Sequence, residues 1–87
     1  MRGKVQPVTE ATAITVPDLG FDGEPVLVGQ WLVTPGDEVV AGDRLCELLC
    51  ASVLFYAEAE TGGTFAEAAV RSGSSVGAGQ HLGSLNS

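Results

Sequence analysis

Leu45-Cys46-Glu47-Leu48-Leu49-Cys50-Ala51-Ser52-Val53-Leu54-Phe55-Tyr56-Ala57 is the longest apolar run in the 87-residue chain, and everything else depends on how it is divided. It contains no Gly or Pro, and Glu47 is its only charge. Periodicity alone does not separate a short helix, a single strand, or two strands joined by a turn in a run of this kind. The flanks do. Gly42-Asp43 before it and Thr61-Gly62-Gly63 after it are turn chemistry, while Val53, Phe55 and Tyr56 favour strands. Ala51-Ser52 is the smallest and most polar point of the run, and is the expected turn between two strands.

Outward from this hairpin the chain repeats itself. Pro35 to Leu48 aligns with Ser72 to Leu85 at an offset of 37 residues, matching Gly36/Gly73, Val39/Val76, Ala41/Ala78, Gly42/Gly79, Leu45/Leu82 and Leu48/Leu85. Core-type Val and Leu recur along with Gly, which argues for a structural repeat over two similar turns. Strand composition precedes each copy, at Val26–Val33 and Thr64–Val70. Two strand–turn–strand units, each too short to bury its own face, are expected to stack into one small two-sheet β structure. Helix propensity would claim only Phe65–Val70, and the repeat overrides it.

The remaining segments are short. Residues 1–13 are polar and mixed, and are expected to form a flexible lead before a domain spanning 14–87. Ile14-Thr15-Val16 is a strand candidate closed by Pro17, and Asp18–Pro25 is an acidic loop. Thr34-Pro35-Gly36-Asp37 is a turn in which Pro presets the second position and Gly is free to take positive φ.

Composition excludes several functions. Four basic residues against eleven acidic ones leave a net charge of −7, which opposes binding to nucleic acid or an anionic membrane surface. No apolar run is long enough to span a bilayer, and no signal-peptide pattern opens the chain. Cys46 and Cys50 on one straight strand would stand about 13 Å apart at Cα, beyond the roughly 7 Å limit for a disulfide. Reduced thiols and a cytoplasmic setting are expected. Two Cys and one His give no zinc spacing, so no metal site is expected.

Ile14-Thr-Val-Pro-Asp-Leu-Gly20, Trp31-Leu-Val-Thr-Pro-Gly-Asp-Glu-Val39, Ala41-Gly-Asp-Arg-Leu-Cys-Glu-Leu48, Gly63 and Val70-Arg-Ser-Gly73 follow one another in a familiar order. In that order the chain resembles a biotinyl/lipoyl domain, and most closely the lipoyl domains of 2-oxo acid dehydrogenase acyltransferase components. The resemblance implies an all-β fold: a flattened barrel or sandwich of two four-stranded antiparallel sheets with quasi-twofold symmetry. It also implies a hairpin tip bearing a lysine, usually in Asp-Lys-Ala, joined to lipoate or biotin through an amide. By alignment that slot falls on Ala51-Ser52-Val53, which puts Ser52 at the lysine position. Lys4 is the only lysine in the chain. The family's Glu-Thr-Asp-Lys-Ala reads Leu49-Cys50-Ala51-Ser52-Val53 here, so the whole tip has changed.

These departures imply a degenerate lipoyl-like domain with no attached cofactor. Its expected role is that of a structural or protein-interaction module, within or beside an acyltransferase or dehydrogenase component of a 2-oxo acid dehydrogenase-like system. Ala51 and Val53 at the tip, with Asp22 and Glu24 in the acidic loop that lies beside the tip in this family, are the expected contact residues. An exposed Val53-Leu54-Phe55 would be a sticky surface, which suggests a partner or a weak dimer of an otherwise monomeric protein. The alternative is a carrier with its group on Ser52 or Cys50, although no His or cation neighbours Cys50 in sequence to lower its pKa. Catalysis by the domain itself is not expected. The lone His81 matches Arg44 in the repeat and reads as a solvated residue, and Glu58 and Glu60 share a solvent-facing side of one strand.

Overall fold

The computed structural model describes residues 11–21 and 23–86, and contains no helix among them. Its strands are β1 (Ala11–Thr15), β2 (Val26–Trp31), β3 (Glu38–Val39), β4 (Arg44–Cys50), β5 (Val53–Glu58), β6 (Gly63–Ala68), β7 (Ser75–Val76) and β8 (His81–Asn86). They form two four-stranded antiparallel sheets, ordered β1-β8-β6-β3 and β5-β4-β2-β7. The all-β expectation holds, including β6, which takes the segment that helix propensity favoured.

Strand alternation builds the core. Val26 and Val28 point inward from β2 while Leu27 between them faces solvent, the period of two expected of a half-buried strand. In β4 the alternation breaks. A register shift between Arg44 and Cys46 buries Leu45 and Cys46 together, and Leu48 and Cys50 resume the inward face. Phe65, Leu82 and Leu85 fill the opposing sheet. Burying each such large side chain contributes roughly 1.5–3 kcal/mol. Among the described residues no polar or charged side chain is buried. Trp31 caps one side of this core, its ring 5.2 Å from that of Phe65 and its indole N–H donating to the Val70 carbonyl at 3.0 Å.

The repeat is real, and its geometry is interleaved. Gly36 and Gly73 occupy equivalent turns at φ +99° and +92°. The Val40 amide donates to Asp43 Oδ2, as the Gly77 amide, 37 positions on, does to Gln80 Oε1. Yet the two halves do not stack one sheet each. Each sheet takes two strands from each half, so β1 and β3 pair with β8 and β6 while β2 and β4 sit with β5 and β7.

Boundaries needed correction at the ends of elements. The stretch read as a lead through residue 13 gives way to β1 at Ala11, where Ala11 pairs with Asn86. Residues 1–10 lie outside the described residues. β1 stops at Thr15. Val16 is buried, and its amide bonds to the Gln80 carbonyl at 3.0 Å. β2 ends at Trp31, short of Val33, and β6 at Ala68, short of Val70.

Candidate functional site

The tip is a two-residue hairpin. Cys50 pairs with Val53, and Ala51 and Ser52 between them have φ of 51° and 66°. Two consecutive left-handed residues make the type I′ turn, whose twist matches that of the flanking strands. The conformation is costly without glycine or asparagine, by about 1–2 kcal/mol per residue. Both residues are exposed, and no hydrogen bond of the described residues engages the Ser52 hydroxyl.

Next to this apex the side chains divide. Cys50 turns inward and is 1 % exposed, so the thiol considered as a tip nucleophile is shut inside the sandwich. The physical reason is register: Cys50 follows Leu48 by two residues on the buried face of β4. Cys46 is also buried and free, and its thiol, pushed up from 9.0 to about 11 by burial and secondarily by the charge of Glu47, is a poor nucleophile. Val53 projects past the core and is 44 % exposed. Phe55 is not part of the exposed tip. It is half-buried and packs against the core opposite Leu48.

The acidic loop leans on the hairpin through an aromatic contact. Phe21 meets Phe55 edge-on with ring centroids 5.9 Å apart, an arrangement worth about 0.5–1.5 kcal/mol beyond its buried area. Asp18 stabilises the loop's entry by accepting the Gly20 amide at 2.9 Å, and the Glu24 amide closes it onto the Phe21 carbonyl. Between loop and sandwich runs an open cleft of about 400 Å³, with Leu19, Phe21, Glu24, Cys50 and Val76 among its walls. Glu24 is exposed at the loop's end. Asp22 lies outside the described residues.

Two sandwiched sheets with reciprocal halves, and a two-residue turn projecting from one end, are the architecture that the resemblance implied. A family model described as "Biotin-requiring enzyme" matches residues 12–85. The chain belongs to the biotin/lipoyl family. No curated protein matches it.

Within this biotin/lipoyl domain, the apex offers a methyl group at Ala51 and a hydroxyl at Ser52, and the single lysine, Lys4, lies outside the described residues. The structure brings Ala51, Ser52 and Val53 together at the tip, with Phe21 linking the loop to β5 just behind them. It leaves His81 exposed at the start of β8, opposite Thr15, as Arg44 starts β4 opposite Glu58. Glu58 and Glu60 are both exposed, and no group of three or more metal-ligating side chains occurs among the described residues. Sequence reasoning missed Phe21, which joins the loop to β5, and the solvent-facing Leu27 of β2. An aromatic in a Gly- and Pro-rich acidic loop was a usable signal for Phe21, whereas Leu27 gains meaning only from what pairs with it.

Proposed function

We propose that this biotin/lipoyl domain carries no prosthetic group and works as a non-catalytic protein-interaction module. The observation that supports this is the apex itself, a tight turn of Ala51 and Ser52 with no amine. Lipoate and biotin are carboxylic acids, and a durable link to either is an amide to a primary amine. Ser52 would offer an ester at best, so the residues present do not fit the group. The family scaffold around the apex is kept while its attachment chemistry is absent, and this points to a role in which the fold is used for contact. The partner is a component of an acyltransferase or 2-oxo acid dehydrogenase-like assembly, met in the cytoplasm with Cys46 and Cys50 reduced.

Intact mass of the protein purified from its native host, with peptide mapping across Leu45–Glu60, tests this directly. An unmodified mass is the expected result. An added group mapped to Ser52 would overturn it, and would make the domain a carrier that had moved its cargo from nitrogen to oxygen.

A further inference from the structure

We propose that the outer face of the β5-β4-β2-β7 sheet, beside the tip, is the docking surface, and that it fits a protein partner presenting apolar side chains bordered by lysine or arginine. This rests on the interaction-module function above and names the surface and the partner chemistry. Leu27 lies opposite Leu49 across the β2–β4 pair, and Leu49 lies opposite Leu54 across the β4–β5 pair. The three form one row over three strands and are 43 %, 42 % and 50 % exposed. Single exposed leucines are ordinary. A contiguous row of them, on a sheet face that no other described residue covers, is the apolar centre of this surface.

One side of that row carries carboxylates, although Glu47 there also accepts the Gln30 amide at 3.1 Å, and the β7 side is bordered by Ser75. The next row on the same face holds Glu47 opposite Tyr56, and Glu58 follows opposite Arg44. The Arg44 guanidinium sits 4.2 Å from the centroid of the Tyr56 ring, so the one cation of these two rows is already engaged. At the tip end Glu24 precedes β2, and the chain as a whole carries −7. An apolar centre with a carboxylate border is complementary to an apolar centre with a cationic border. A second copy of this chain fits poorly. It would set −7 against −7, carboxylate border against carboxylate border.

The test is a titration of the isotope-labelled full chain, followed by amide NMR, with two capped peptides. One alternates lysine and leucine over seven residues, and the other replaces each lysine by glutamate. The lysine peptide is expected to shift the amides of Leu27, Leu49 and Leu54, to bind at least tenfold more tightly than the glutamate peptide, and to weaken as salt rises. The variant L27T/L49T/L54T keeps strand propensity and is expected to lose at least tenfold in affinity with its β spectrum intact. Leu49→Thr alone, the milder change, is expected to lose about threefold. Equal binding of both peptides, shifts confined to the Asp18–Glu24 loop, or no binding would overturn the proposal. Concentration-dependent shifts of the leucine row without peptide would also overturn it, by showing a second copy as the occupant. A modified Ser52 in the mass measurement would overturn the unmodified-module function while leaving the leucine-row result standing. An unmodified mass with no response at the row would overturn the docking surface alone.

Discussion

The amide of Gly36 donates to the carbonyl of Phe65 at 2.8 Å, so a turn in the first half of the chain is held by a strand of the second. The reciprocal bond runs from the Gly73 amide to the Val28 carbonyl at 2.7 Å. Each pair is doubled, since Phe65 donates back to Asp37 and Val28 to Ser74, both at 2.8 Å. Neither half keeps its backbone groups satisfied without the other.

Separately produced halves, 11–50 and 53–86, are therefore expected to be unfolded alone, by circular dichroism and amide dispersion. In the intact chain Gly36→Ala and Gly73→Ala should each cost about 1–2 kcal/mol, because both sites hold a positive φ. No atom stands within 4 Å of the added carbon at either site, so the cost is one of backbone conformation and should be similar for the two. Urea denaturation of the two variants checks this.

Ala51 and Ser52 hold the tip in left-handed conformations that their side chains disfavour. Replacing the pair by the sequence the turn prefers, Ala51→Asn with Ser52→Gly, is expected to stabilise the domain by about 1–2 kcal/mol. A rise in the urea midpoint at unchanged slope is the expected readout. No rise would mean that the apex adopts another turn in solution.

Cys46 links stability to alkaline pH. Its thiol is held protonated to about 11 in the fold against an ordinary 9.0, first by burial and then by Glu47. The unfolded chain therefore releases this proton at lower pH than the folded one. Stability from this group is complete below about pH 9 and is lost as pH rises toward about 11. At about 1.4 kcal/mol per pH unit, the loss amounts to about 2–3 kcal/mol across that window. Cys46→Ala should flatten that part of the pH–stability curve, whatever cavity cost it adds uniformly.

Gly83 and Gly77 offer a paired test of close packing. A Cβ at Gly83 would stand 2.5 Å from the Glu67 carbonyl oxygen and 3.3 Å from the Trp31 ring, so strand β8 would have to move off β6. Gly83→Ala is expected to cost about 2–3 kcal/mol, in the range of an overpacked core, and to shift Trp31 fluorescence. Gly77 has open space around it, and Gly77→Ala should change stability by less than about 0.5 kcal/mol.

Much of the architecture was legible because its signals are local. The Ala51-Ser52 turn showed as a polar break in an apolar run, and the Gly36 and Gly73 turns showed as Gly and Pro chemistry repeated at one spacing. The ends of β2 and β6 were less legible. Val33 and Val70 continue the apolar composition, but the chain leaves the ladder at Trp31 and Ala68. Composition does not show where a partner strand ends. Ala11–Ala13 read as lead because small and polar residues carry little strand signal, and their partners Asn86, Leu85 and Ser84 lie at the other end of the chain.

By itself the amino-acid sequence determined the strand-and-turn grammar, the internal repeat, the acidic charge and the Ala51-Ser52 turn. Each of these depends on residue type and near spacing. Only the tertiary structure decided that the halves interleave, that Cys50 faces the core, that Phe21 packs on Phe55, and that Leu27, Leu49 and Leu54 form one row. These depend on strand register, and a slip of one residue moves every side chain of a strand to the opposite face. Register in turn is set by pairings between residues far apart in the chain and by a bulge at Arg44–Cys46, neither of which leaves a mark in any single stretch of sequence.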